Sequence, residues 1–413
     1  MARTEPRVAP EVAPASLNEA LSGIRVLDFA QVGAGPTCGM LLGDLGADVI
    51  KIEAPGGDIG RRLGPPWQAG ESVVSMSFNR NKRSLAIDLK NPRGLSIVER
   101  MAAQADVVLE SFRPGVMEKL GIGYAALSLK CPRIVYCSVS AYGQSGPWRD
   151  KPGVDGIVQA VSGLMSQVGS EGAPPMKVQI PAADMVTGFL AATAILAALR
   201  VRDTTGRGQQ LDVSMYNSAL MLQQSAIASY LSSGELPVRS GSAAPYAAPN
   251  EAYPTKDGWI MVAAYHEDRW KAFCRVIGDP ALATRAEFAT NPQRVANRTS
   301  LAREVALRLA AKTSAEWQAL LEQADVICGP IAEYDEVLAS PQLVHNGAIV
   351  QMQHPKAGVV RMPGAAFGDR DAQSRVHHPP PMIGEHSREV LAMFGFDAAE
   401  IDALVASGAV IQN

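Results

Sequence analysis

The chain has 413 residues, of which 47% are hydrophobic and 19% charged, with a formal net charge of −3. That length can bury at least one large core and suggests two domains, and the apolar fraction excludes a disordered or fibrous protein. Lysine and arginine are spread along the whole chain, which gives no reason to expect nucleic acid as a partner and leaves only local anion sites.

Residues 1–16 are Pro- and Ala-rich, with Arg3 and Arg7 but no apolar core of a secretory leader, and are expected to be a disordered arm. Ile24 to Phe29 is a short β-branched and aromatic run that leads through the small-residue turn Gly33-Ala34-Gly35-Pro36 into a helical stretch ending at Leu45. Asp48 to Glu53 reads as a second buried strand roughly two dozen residues further on, the spacing of a βαβ unit. Ala105 to Phe112 and Arg133 to Ser138 repeat the theme, so the first half reads as a doubly wound, Rossmann-like parallel α/β sheet. Met185 to Leu199 is apolar but too short to cross a bilayer, and is expected to be a buried helix with no membrane contact. From Asn217 to Pro254 the text loosens into Ser, Gly, Ala and Pro, which predicts a domain boundary with a loop. Beyond it, Trp259 to Ala264 reads as a strand and Arg275 to Leu321 as amphipathic helices, giving a smaller mixed α+β domain.

The five cysteines are odd in number and lack CxxC spacing, so neither a disulfide framework nor a zinc site is expected and a reducing cytoplasm is the natural home. The six histidines show no metal-ligand spacing, and no metal is expected. Gly33 and Gly35 resemble a dinucleotide loop, but Cys38 stands where its third glycine belongs. Backbone N–H groups at a helix start still make an anion or carbonyl site; a tight turn without a ligand is the plainer alternative.

Asp184 closes Gln179-Ile-Pro-Ala-Ala-Asp directly before the long apolar stretch, where it reads as an N-cap. Capping and the positive end of the helix dipole would keep its pKa low, and an ionised carboxylate is what an acyl-transferring nucleophile requires. From the local pattern alone a purely structural cap is the favoured reading, since Asp is a preferred cap everywhere.

Seven segments occur in the order and spacing of one family: Gly23-Ile-Arg-Val-Leu-Asp-Phe, Gly46-Ala-Asp-Val-Ile-Lys-Ile-Glu, Asn81-Lys-Arg-Ser, Glu110-Ser-Phe-Arg-Pro-Gly, Tyr142-Gly-Gln-Ser-Gly-Pro, Thr205-Gly-Arg-Gly-Gln and Gly384-Glu-His. From about Leu21 onward the chain resembles the class III CoA-transferases, whose members include formyl-CoA and carnitine CoA-transferases and whose relatives include α-methylacyl-CoA racemase. The resemblance implies that Asp184 is the nucleophile, forming first a mixed anhydride and then an aspartyl-CoA thioester. Coenzyme A enters as part of the substrates, no cofactor is tightly bound, and family habit favours a short dicarboxylic acid as acceptor with succinyl-CoA as donor. It also implies CoA contacts at Val32, Gly33 and Ala34 through backbone, at Asn81 and Lys82, at Ser111, Phe112 and Arg113, and at Lys119. Ala54 and Pro152 depart from basic residues of the family, with Arg61, Arg62 or Lys151 as candidates to compensate. Asp155 matches an acidic residue that orients acceptor or intermediate; the residue before it is Val154, where racemases carry histidine, and this demotes a two-base racemase. By the same resemblance, residues 17–225 and the return segment 336–413 build the large domain, residues 226–335 the small one, and two chains form an interlocked homodimer.

Overall fold

The structure, a computed structural model, describes residues 16–368 and 376–413. Residues 1–15 of the expected arm lie outside the described residues. The chain divides into two compact units: one runs to Leu164, resumes over Val178–Ala228 and closes with Gln342–Asn413, and the other holds Met165–Lys177 and Ser229–Pro341.

In the first unit six parallel strands, β1 (Arg25–Asp28), β2 (Asp48–Glu53), β3 (Lys82–Ile87), β4 (Val107–Glu110), β5 (Val135–Ser140) and β6 (Gln210–Ser214), lie in the order β3-β2-β1-β4-β5-β6. This is the doubly wound order, in which β1 sits beside the switch of direction between β2 and β4. The central strands β1, β2, β4 and β5 are largely apolar because both sheet faces are covered there, and the two-residue side-chain period divides each between two cores. Val26, Val49, Val107, Val135 and Cys137 point to one face. There they meet helices α1 (Ala34–Asp44) and α4 (Ala182–Thr205) through Cys38, Leu42, Ala191, Ile195 and Ala198. Leu27, Ile50, Val108 and Tyr136 point to the other face, onto α2 (Pro92–Ala102) and the C-terminal residues Val390, Leu391, Phe394 and Ile401. α4 is longer than its apolar stretch suggested: its 24 residues could span a membrane by length and composition alone, while here one side of it is sheet core.

The C-terminal segment returns to this unit. Val410–Ile411 pairs antiparallel with β3 at Ile87 and Ala86, and Ser84 Oγ accepts a hydrogen bond from Gly384 N at 2.8 Å. His386 N donates to Ser84 O at 3.0 Å, giving the family-motif histidine a place in this seam.

The second unit carries a three-stranded antiparallel sheet, Asn250–Pro254, Trp259–Ala263 and Ile327–Pro330, with helices Glu267–Val276, Arg298–Leu309 and Ser314–Gln323 around a core of Trp270, Phe273, Phe288, Leu301 and Trp317. The loose segment expected from Asn217 is corrected at its start: Met215–Leu222 and Gln224–Ser233 are helices. Their Met, Leu, Ala and Gln content favours helix, and Ser214 Oγ caps the first by accepting from Asn217 N at 3.2 Å.

Candidate active site

β1 ends at Asp28, whose carboxylate accepts from Ala30 N at 2.9 Å and turns the chain toward α1. Val32 then adopts φ 67°, an uncommon conformation for a β-branched residue. Gly33 follows at the start of α1. A methyl group on its Cα would lie 2.6 Å from Asp184 Oδ2, so only glycine lets the first turn of α4 bring that carboxylate against the loop. A second close approach, Gly188 of α4 against Thr37 and the Ala34 carbonyl of α1, sets the two helices together.

Asp184 is not the N-cap. Pro181 holds that position without a side-chain bond, and Asp184 is the third residue of α4. The cap comes from elsewhere: Asp155, first residue of α3 (Asp155–Val161), accepts through Oδ2 from Ala183 N at 2.8 Å and Asp184 N at 3.2 Å. Its Oδ1 accepts from Gln159 Nε2 at 2.6 Å. Among the described residues no hydrogen bond is recorded to the Asp184 carboxylate itself. Its pKa is therefore not low: burial raises it from the ordinary 3.8 to about 7, and the neighbouring Asp155 charge adds to the rise. The helix dipole expected to keep it ionised is outweighed by desolvation.

Asp184 and Asp155 line a cavity of about 350 Å3 together with Val32–Ala34 and Ser111–Arg113, so eight of the eleven residues singled out from the sequence meet at one place. Ile59, Val139, Val154 and Met215 add apolar wall. The two loops are joined, since Ser111 Oγ accepts from Gln31 N at 2.9 Å. Glu110 steadies the second loop by accepting from Phe112 N at 2.8 Å, and burial lifts its own pKa to about 7.

The other three candidates lie apart from the cavity. Lys82 is wholly buried, and its ammonium is consumed by Asp28 Oδ2 at 2.9 Å, Pro36 O at 2.9 Å and Asn79 Oδ1 at 3.0 Å, leaving nothing for a phosphate. Asn81 is also buried, donating to Asp44 Oδ1 at 2.8 Å and accepting from His377 N at 2.7 Å and His378 N at 3.1 Å. Both were expected at CoA because Asn81-Lys-Arg-Ser matches a family segment; the strand that buries Lys82, β3, was not foreseen. Lys119 is exposed at the end of a short helix, Val116–Lys119, and does not line the cavity. Of the residues considered as replacements for the missing basic positions, Arg61 is bound to Glu53 at 2.7 Å, Arg62 is exposed, and Lys151 Nζ stands 4.4 Å over the Trp148 ring.

Sequence reasoning passed over Asp58 and Lys51. Lys51, in the middle of β2, is 0% exposed and bonds to Asp58 Oδ2 at 2.9 Å and to Ala30 O at 3.0 Å. A lysine inside an otherwise apolar strand was the available signal, because a buried ammonium requires a partner. Among the described residues no group of three His, Cys, Asp or Glu is placed to hold a metal ion.

Comparison with known proteins agrees with the sheet and identifies the family. The family model "CoA-transferase family III" matches residues 21–387. Succinyl-CoA:glutarate CoA-transferase of Mus musculus is 37% identical over 395 residues, 95% of this chain and 91% of that protein. Succinate--glutarate CoA-transferase of Agrobacterium fabrum is 37% identical over 383 residues, 90% of this chain and 95% of that protein. Among solved structures, a CAIB/BAIF family protein from Brucella suis superposes with a TM-score of 0.82 at 32% identity, covering 91% of this chain and 100% of that one. The chain belongs to CoA-transferase family III and is a CoA-transferase.

Proposed function

We propose that Asp184 is the nucleophile of a CoA transfer between short carboxylic acids, with succinyl-CoA as donor and a dicarboxylic acid such as glutarate as acceptor. The reading is carried by one observation: a carboxylate of raised basicity, to which no hydrogen bond is made among the described residues, lines a cavity against the backbone of Gly33. The printed names of the mouse and Agrobacterium relatives supply the substrates. Ionised Asp184 attacks the thioester carbonyl; a C–O bond forms, the C–S bond breaks, and CoA leaves as thiolate. The thiolate then attacks the aspartyl carbonyl of the mixed anhydride, releasing the donor acid and leaving an aspartyl-CoA thioester. The acceptor carboxylate repeats both steps in reverse. One thioester replaces another, so the protein supplies positioning, N–H donors for each oxyanion, and shelter of the anhydride from water.

The apolar wall formed by Val139, Val154 and Met215 suits that shelter. Asp155 tunes the nucleophile: it caps α4 and raises the pKa of Asp184 at once. Arg113, exposed at the rim, is the basic residue placed to meet an anionic part of the CoA ester. In this reading the enzyme works as a homodimer in the cytoplasm without a tightly bound cofactor; the free state of all five cysteines supports a reducing compartment, and light scattering in solution tests the dimer.

The test is intact-protein and peptide mass spectrometry after mixing with succinyl-CoA and trapping with hydroxylamine. A modification confined to the Asp184 peptide, and lost in Asp184→Ala, is expected. Transfer activity that survives in Asp184→Ala refutes the assignment.

A further inference from the structure

We infer that Asp58 is a positioning residue for the reaction: it holds the Gln31–Gly33 loop in the strained shape that seats Gly33 against Asp184. The inference rests on Asp184 being the nucleophile and assigns a task to a buried ion pair outside the cavity wall.

Three backbone groups of the loop are held by buried charged side chains. Asp28 accepts from Ala30 N at 2.9 Å, Lys51 donates to Ala30 O at 3.0 Å, and Asp58 accepts from Val32 N at 3.2 Å through Oδ1 and 3.3 Å through Oδ2. Asp58 is 2% exposed and is itself fixed on every side. Its Oδ1 accepts from Gly60 N at 2.8 Å, its Oδ2 pairs with Lys51 at 2.9 Å, and its own N–H donates to Glu53 Oε2 at 3.0 Å. Glu53 in turn accepts from Arg61 at 2.7 Å and from Ser84 Oγ at 2.7 Å, which joins the group to β3.

An ion pair that served only the sheet would bridge neighbouring strands. This one ends on the amide of Val32, the residue that adopts φ 67°. A β-branched side chain resists that conformation, so the loop would relax toward negative φ without something to hold it. The next residue is Gly33, whose Cα faces Asp184 Oδ2. A rotation at Val32 is thereby passed directly to the contact between loop and nucleophile, and a displacement of about 1 Å at such a point costs about a hundredfold in rate.

The experiment compares the full-length wild type with Asp58→Asn and Asp58→Ala, each alone and combined with Val32→Gly, after circular dichroism has established which variants are folded. Glycine accepts positive φ freely and so removes the strain that Asp58 opposes. Two readouts are used: amide hydrogen exchange over residues 30–34, and kcat and KM for CoA transfer from succinyl-CoA to glutarate. In Asp58→Ala we expect faster exchange confined to the loop, kcat down about a hundredfold and KM changed less than about threefold. Asp58→Asn, which keeps an acceptor, falls between, and Val32→Gly returns about tenfold of kcat to the Ala variant. If Asp58→Ala does not fold, the Asn variant carries the same comparison. Unchanged loop exchange in a folded variant, or faster exchange with unchanged kcat, overturns the inference, as does failure of Val32→Gly to restore any rate. If wild type shows no Asp184 adduct with succinyl-CoA while loop exchange still rises in the Asp58 variants, the nucleophile assignment fails and the anchoring of the loop stands.

Discussion

Replacing Asp184 by Asn should remove activity and yet stabilise the protein at neutral and alkaline pH. Burial displaces the carboxyl pKa from 3.8 to about 7. The folded state therefore prefers the protonated form; it keeps its full stability below the ordinary pKa and gives it up as pH rises toward and through about 7. At about 1.4 kcal/mol per pH decade the whole displacement corresponds to about 4 kcal/mol above pH 7, and partial opening of the side chain to the cavity halves that to about 2 kcal/mol. Asn is nearly isosteric and cannot ionise, so it escapes this penalty. Urea midpoints of wild type and Asp184→Asn, measured at pH 5 and pH 8, should show the variant ahead by about 1 kcal/mol at the lower pH and about 2 at the higher. Groups such as Glu110 titrate in both proteins and cancel in the difference. An Asn variant no more stable than wild type at pH 8, or a gap that does not widen with pH, would refute the claim that the nucleophile is held at the expense of the fold.

The same displacement sets the pH dependence of the rate: kcat/KM should climb as pH rises through about 7, and in Asp155→Asn the midpoint should move down by less than about one pH unit, since burial is the larger cause. Gly33→Ala should lose at least about a hundredfold in kcat while remaining folded, because its φ of −126° suits alanine and only the Asp184 carboxylate obstructs the methyl group; crystallography or exchange at residues 33 and 184 checks the cause. Lys82→Met should cost about 3–5 kcal/mol of stability, read from denaturant midpoints, by leaving Asp28 buried and unpaired. A rise in KM for the CoA ester without loss of stability would return Lys82 to the ligand. Arg113→Ala should raise KM for the CoA ester severalfold in steady-state assays with little change in stability, the pattern of an exposed ligand contact.

How much of this was legible in the sequence depended on how local each cause is. β2 was bounded correctly at Asp48 and Glu53 because an apolar run between charged ends is a signal contained in six residues. Asp184 was found as a position, but its environment was misread. The sequence shows a helix start beside it; the group that caps that start, Asp155, is 29 residues upstream, and the burial that raises the pKa comes from tertiary packing. β3 escaped notice because Lys82, Arg83 and Ser84 are polar, although the strand is buried throughout: the first two are paired with Asp28 and Asp48, and the third with Glu53. Pairing across strands has no counterpart in a sliding window, so the buried hydrogen bonds of Asn81 and Lys82 could not be read from their sequence neighbours, and only the family resemblance had spoken for them, as CoA contacts. Asp58 illustrates the same limit, since its partner Val32 is 26 residues away and offers only a backbone amide.

The closing of the sheet by its last strand has a consequence for the order of assembly. Ser84 and Gly384 are separated by 300 residues, and the strand that covers the edge of β3 comes later still. A ribosome thus releases β3 and its exposed edge long before Val410 and Ile411 exist to cover it. For that interval the nascent chain offers an unpaired row of backbone donors and acceptors, the kind of surface on which chains mispair with one another. Conditions that slow translation of the C-terminal part should therefore reduce soluble yield more than the stability of the finished protein would suggest.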